Sequence, residues 1–250
     1  MRIQRLAAAA ACALALSGCT HHLAQVREPG RAAAFPTGGP WRSMVYAART
    51  DSGVVLVDLG YVRSAAALRG QLRKLGAAPA DVTDVLLTHS HRDHVRAWKA
   101  VRGARFHLWA PEQPLFEGTS RHVDLPSRTA RATFGHAGPG PGEVDVRAFS
   151  ADTTWVIGRD TVRAYTVPGH TAGSAAYLFR GVLFVGDAAT RKPLRGFRGA
   201  DPFFSADTRL NRQSLVALFA RVPAERVRWV CNAHAKCARF DERFVARVTR

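Results

Sequence analysis

The sequence predicts a layered α/β fold with sheets inside and helices outside. Strand-like runs alternate with helical periods along most of the chain, and they fall into two similar halves. Of the 250 residues, 47% are hydrophobic, enough to fill the core of a domain this size.

The first residues stand outside that fold. Arg2 and Arg5 precede an apolar stretch from Leu6 to Ser17. It is too short to span a bilayer and has the length of a secretory signal core. Leu16-Ser17-Gly18-Cys19 resembles the bacterial lipobox, which implies cleavage before Cys19 and lipidation of its thiol. Several acyl chains on one cysteine make a stable membrane anchor. The expectation is a periplasm-facing lipoprotein of the cell envelope, and Thr20 in place of Asp leans toward the outer membrane. Residues 1–18 read as the signal, 19–41 as a Pro-, Gly- and Ala-containing tether, and 42–250 as the domain.

The domain opens with strand-like runs at Ser43–Ala48 and Val54–Asp58, separated by the turn signal Asp51-Ser52-Gly53. Ser64–Leu75 puts Ala67, Leu68, Leu72 and Leu75 on one helical face, and Gly76 ends it. Val82–Leu87 is a short apolar strand. Asp93–Val101 reads as helical and Arg105–Trp109 as a strand. Residues 111–143, rich in Gly and Pro, read as a long irregular loop of the kind that carries specificity. Strands return at Val144–Phe149, Thr154–Ile157, Thr161–Val167, Ala175–Phe179 and Val182–Gly186. Residues 205–222 suit an amphipathic helix, Arg226–Cys231 a last strand and 238–249 a last helix. Trp98, Trp109, Phe203 and Phe204 read as core or loop packing rather than as a substrate platform.

Charge is lopsided, 36 Lys+Arg against 19 Asp+Glu, for a formal net of +17. Such a balance suits nucleic acid or an anionic membrane. No block of five or six basic residues marks a docking patch, so nucleic acid is not an expected partner. Of the four cysteines, Cys12 leaves with the signal and Cys19 takes lipid. Cys231 and Cys237 would sit in an oxidising compartment. Their spacing permits a bridge around His234 and equally permits two separate thiols.

The sharpest feature is Thr88-His89-Ser90-His91-Arg92-Asp93-His94. Imidazole and carboxylate are the donors that a borderline divalent ion such as zinc prefers. In an extended chain His89 and His91 share a side, and a turn into a helix swings Asp93 and His94 toward a second point. One short segment can thus serve two adjacent metal ions.

This H-x-H-x-D-H pattern resembles the hallmark of the metallo-β-lactamase superfamily, and the resemblance extends over roughly residues 43–240. Val167-Pro168-Gly169-His170 is similar to the second motif, Leu183 to Asp187 to the strand bearing a bridging carboxylate, and Cys231 to His234 to the final ligand strand. Val57-Asp58 is similar to the early strand-end Asp. The resemblance implies a four-layer αβ/βα sandwich with two zinc ions, iron being the alternative. It implies His89, His91 and His170 on one ion, Asp93, His94 and His234 on the other, and Asp187 between them. Asp58 would orient ligand groups. The ions would lower the pKa of bound water from about 15.7 toward about 7, and Asp93 could take a proton from the nucleophile.

His91 stands where oxygen-reducing di-iron members carry Glu, which leans toward zinc and hydrolysis. Asp187 matches thioesterases and lactonases rather than true β-lactamases, so an ester, lactone or thioester is expected before a β-lactam. Arg92, Arg191, Lys192 and Arg195 are candidates to bind an anionic group of a small-molecule substrate. A mono-iron persulfide dioxygenase and a phosphodiesterase or nuclease are the alternative chemistries, and a binding protein with a relict site is the non-enzymatic one.

Overall fold

Extended runs pair into two six-stranded sheets in the computed structural model, which describes residues 32–37, 43–61, 66–192, 196–235 and 237–250. The signal, Cys19 and Arg195 lie outside the described residues. Sheet one holds β1 (Ala32–Thr37), β2 (Ser43–Thr50), β3 (Gly53–Val57), β4 (Val82–Leu86), β5 (Arg105–Trp109) and β6 (Asp145–Phe149), in that spatial order. Sheet two takes β7 (Thr153–Ile157), β8 (Asp160–Thr166), β9 (Ala175–Phe179) and β10 (Val182–Gly186). A two-stranded hairpin follows, β11 (Ala189–Lys192) and β12 (Gly196–Gly199). Sheet two is completed by β13 (Trp229–Asn232), parallel to β10, and β14 (Ala238–Arg239). The helices are α1 (Ala66–Lys74), α2 (Arg92–Val95), α3 (Gln113–Phe116), α4 (Leu125–Phe134), α5 (Thr208–Arg221) and α6 (Glu242–Val248).

The period of two along each strand sorts the core into three layers. Val54 and Leu56 of β3 pack outward with Leu68 and Leu72 of α1, together with Leu75, Val95 and Trp98. Their neighbours Val55 and Val57 face inward and meet Tyr177, Phe179 and Phe184 of sheet two. Leu178, Leu183 and Val185 face the other way, under Leu215 and Leu218 of α5 and Phe244 and Val248 of α6. The order is helix, sheet, sheet, helix.

Several elements differ from the sequence expectation. Part of the expected tether, Ala32–Thr37, pairs antiparallel with β2 as an edge strand. An edge tolerates Pro36, which has no N–H to give. The helix expected over Asp93–Val101 is two short pieces, α2 and a 3₁₀ turn at Trp98–Val101. The expected loop 111–143 contains α3 and the ten-residue α4. Asp124 caps α4 by accepting from Ser127 N at 2.9 Å, and Pro126 lies in its first turn. Over 238–249 a strand, β14, precedes a shorter helix capped by Asp241. The hairpin β11–β12 had no alternation to announce it.

Asp84, fully buried on β4, ties sheet one together. It accepts from Arg105 Nε at 2.9 Å and Nη2 at 2.8 Å, and lies 2.7 Å from His107 Nε2. Burial pushes its carboxyl up, but the hydrogen bonds from His107 and Arg105 outweigh that and hold it at about 2. A depressed carboxyl stabilises the fold above its unfolded pKa, near 3.8, and that stability is lost as pH falls toward about 2. At 1.36 kcal/mol per unit the contribution at neutral pH is about 2 kcal/mol. Asp84→Asn is therefore expected to lower Tm at pH 7 and to flatten the acid limb of a Tm–pH profile. An acid limb identical to that of the parent would remove Asp84 from this role.

Candidate metal centre

The carboxyl ends of β3, β4, β8, β10 and β13 converge, and each is followed by one of the residues singled out in the sequence. Asp58 follows β3 in the left-handed region, φ 55°, which Asp tolerates better than most side chains. Its Oδ1 accepts from Thr88 N at 2.8 Å and its Oδ2 from Thr88 Oγ1 at 2.7 Å, which pins the start of the histidine loop. Gly186, at the end of β10, lies against the same threonine. A Cβ there would sit 2.4 Å from Thr88 Oγ1, so only glycine lets sheet two approach this closely. His234 is presented by a turn in which Asn232 Oδ1 accepts from Ala235 N and Tyr46 Oη donates to Asn232 O. Cys231 and Cys237 are disulfide-bonded on either side of it.

Hydrogen-bond partners assign the proton on each buried imidazole. Thr88 Oγ1 spends its proton on Asp58, so it accepts from His89 Nδ1 at 3.2 Å. Asp124 takes the proton of His91 Nε2 at 3.1 Å, and Asp58 that of His94 Nδ1 at 2.9 Å. Ser205 Oγ donates to Asp201 O, so it accepts from His170 Nδ1 at 3.0 Å. The other nitrogens of His89, His91 and His170 therefore carry bare lone pairs. His170 Nε2 lies 3.1 Å from His89 Nε2 and 3.0 Å from His91 Nδ1, so three lone pairs converge on one point. Tetrahedral zinc with Zn–N near 2.0–2.1 Å sets its donor atoms about 3.3 Å apart. The donor set and its spacing fit such an ion.

A second group adjoins the first. Asp93, His94 and His234 bring donor atoms within 4.8 Å of one another. Asp93 Oδ2 is 3.5 Å from His94 Nε2 and 3.3 Å from His234 Nε2. Asp187 lies between the groups, its Oδ2 2.9 Å from His234 Nε2 and 3.9 Å from His170 Nε2, its Oδ1 3.8 Å from His94 Nε2. Both His94 Nε2 and Asp187 Oδ1 are buried with no hydrogen-bond partner. Buried polar atoms without a partner are costly, and a cation between them would satisfy both.

The local charges agree. Burial works against charge on His94, but Asp93, Asp58 and Asp187 outweigh it and push the imidazole up to about 9. Burial and neighbouring imidazoles push His89 and His170 well down, so they stay neutral donors. The region around Asp187 attracts positive charge, and the first histidine group resists being protonated.

All seven motif residues, with Asp58, meet at this one place. Sequence reading missed four groups that hold them. Glu112 is fully buried. Its Oε1 accepts from Ser90 N at 2.7 Å and Ser90 Oγ at 2.5 Å, its Oε2 from Thr171 Oγ1 at 2.6 Å and Gly173 N at 3.0 Å. It joins the two histidine loops. Asp124 holds His91, Ser205 holds His170, and His122 Nε2 lies 3.3 Å from Ser90 Oγ. Only Asp124 left a trace in the sequence, as a cap before Leu125-Pro126. Arg92 donates to Gly135 O at 2.7 Å beyond α4, and Lys192 pairs with Asp201. Arg191 is exposed.

The chain and its fold have counterparts among known proteins. The family profile described as Metallo-beta-lactamase superfamily matches residues 38–228. A Bacillus velezensis protein, named probable polyketide biosynthesis zinc-dependent hydrolase BaeB, is 31% identical over 114 residues. The match spans 46% of this chain and 42% of that protein, less than half of either. The solved structure of BLEG-1 B3 metallo-beta-lactamase is similar with a TM-score of 0.63 at 22% identity, covering 83% of this chain and 93% of that one. TTHA1429 from Thermus thermophilus, a metallo-beta-lactamase family protein, gives a TM-score of 0.63 at 22% identity and coverages of 89% and 79%. TTHA1623 in a di-iron-bound form gives 0.58 at 26% identity, with coverages of 82% and 94%.

Proposed function

The chain belongs to the metallo-β-lactamase superfamily, and from that premise we propose a dinuclear zinc hydrolase that cleaves an ester, lactone or thioester. One observation carries the reading: four imidazoles whose outward N–H groups are all engaged stand around a carboxylate, Asp187, that lies within 3.9 Å of His170 in one donor group and of His94 and His234 in the other. His89, His91 and His170 would hold one ion, Asp93, His94 and His234 the other, with Asp187 bridging. When bound, such ions polarise a carbonyl oxygen and make water acidic enough to react at neutral pH.

The protein's own groups do the rest. Asp58, Asp124 and Ser205 keep the ligand tautomers and ring orientations in place. Asp93 is placed to take a proton from the attacking water, because its side chain keeps 22% exposure while its Oδ2 faces His234. Zinc is supported by the name of the Bacillus relative, and iron is the second reading, carried by likeness to the di-iron form of TTHA1623.

Metal quantitation on purified protein is expected to find close to two zinc per chain. Chelation should abolish hydrolysis of a panel of chromogenic esters, lactones and thioesters, and zinc should restore it before iron does. Iron in the native protein, with oxygen uptake on a persulfide and no hydrolysis, would overturn the proposal in favour of a dioxygenase.

The amino-terminal sequence supports an envelope address, with the enzyme tethered through Cys19. Labelling cells with a fatty-acid probe should mark the parent and not Cys19→Ala. Equal labelling of both would defeat the anchor.

A further inference from the structure

Two short segments border the centre, and each both holds a ligand imidazole and exposes apolar side chains. In the first, Asp124 holds His91 and His122 lies beside Ser90, while Val123 and Leu125 are 66% and 64% exposed. In the second, Ser205 holds His170, while Phe203 and Phe204 are 61% and 37% exposed, their rings 5.0 Å apart. The segments are neighbours, because helix α4, beginning at Leu125, packs against the turn Pro202–Phe204. The backbone keeps the second segment on the His170 loop through Ala206 N to His170 O at 3.0 Å and Asp207 N to Gly169 O at 2.8 Å. Phe203 and Phe204, which the sequence placed in core or loop packing and outside the site, stand here in an exposed turn beside it.

Eight large apolar side chains are exposed among the described residues, and four of them belong to these two segments. Single exposed apolar residues are ordinary. A group beside a reactive centre marks a binding surface. Two basic groups nearby are engaged elsewhere, Lys192 with Asp201 and Arg92 with Gly135 O.

We propose that Val123, Leu125, Phe203 and Phe204 form a subsite for the aliphatic or aryl part of an acyl substrate, whose carbonyl lies at the metal centre. The assignment rests on the hydrolase reading and names its substrate class: acyl compounds with a hydrophobic chain. Burying one methylene in such a subsite strengthens binding about fourfold.

The test is calorimetric titration of the zinc-loaded protein with straight-chain alkanoates from acetate to decanoate, run beside hydrolysis of the matching p-nitrophenyl esters. Kd should tighten about fourfold per methylene through the middle of the series. The double variant Val123→Ser/Phe203→Ser should flatten that slope. Val216→Ser, exposed on α5 outside these segments, should keep it. A Kd independent of chain length in the parent, or an unchanged slope in the double variant, overturns the subsite. So does a flat series accompanied by a dimer that Phe203→Ser dissociates, which would assign the surface to self-association. Ester cleavage without chain-length dependence sinks the subsite and leaves the hydrolase. A chain-length slope in Kd with no ester cleaved does the reverse.

Discussion

Asp187→Ala is expected to fold, to bind fewer than two metal ions and to lose ester hydrolysis by more than about 10³-fold in kcat/KM, several kcal/mol of transition-state stabilisation. The carboxylate approaches His234, His94 and His170, so its removal strikes both donor groups at once. Burial alone would raise its pKa, but His234, followed by His94 and His170, pulls it far below the ordinary carboxylate range. It is therefore a fixed negative charge, and its loss leaves the centre with a surplus of positive charge. Metal content by plasma emission and Tm by calorimetry separate the outcomes. A variant that is folded, metal-replete and fully active would remove Asp187 from its proposed place.

Glu112→Ala carries the second large effect, on a residue that touches no donor atom of the centre. Four donors lose their acceptor: Ser90 N, Ser90 Oγ, Thr171 Oγ1 and Gly173 N. All are buried between loops carrying His89, His91 and His170. Leaving such groups unsatisfied costs roughly 3–5 kcal/mol, which for a chain of this size lowers Tm by about 10 °C. Zinc affinity should fall about 10–100-fold, the usual loss when groups that hold ligands are removed. Glu112→Gln keeps one acceptor oxygen and should recover part of both. A Tm loss with unchanged zinc affinity would make Glu112 a stabilising residue alone. Gly173 shows how closely the His170 loop packs on the backbone of Glu112, since a Cβ there would lie 2.1 Å from Glu112 N.

Much of this architecture was legible in the chain itself. Strands such as Val54–Val57 announce themselves because alternate residues enter different cores, and both faces are apolar. The leucines of α1 follow a helical period because one face packs on sheet one. The histidine loop and its neighbours were legible for a different reason. Metal donors must be dense and chemically distinct, so they stand out from any structural pattern. The pairing of Cys231 with Cys237 was left open by spacing, and the turn that brings Asn232 back onto Ala235 resolves it.

Other features belong to tertiary structure alone. Glu112, His122 and Ser205 carry no local signature, because a buried acceptor or hydroxyl is defined by donors far away in the chain. Thr171 is 59 residues from Glu112, and Ser205 is 35 from His170. Helix α4 hid in a Gly- and Pro-rich stretch because its cap, not its period, defines it. The sequence by itself determined which atoms could serve as donors and which strand ends would deliver them. Their order in space, their tautomers and the apolar border beside them were decided only when the two sheets packed face to face. Hydrogen bonds and exposure depend on what folding brings near, and no run of neighbours along the chain encodes that.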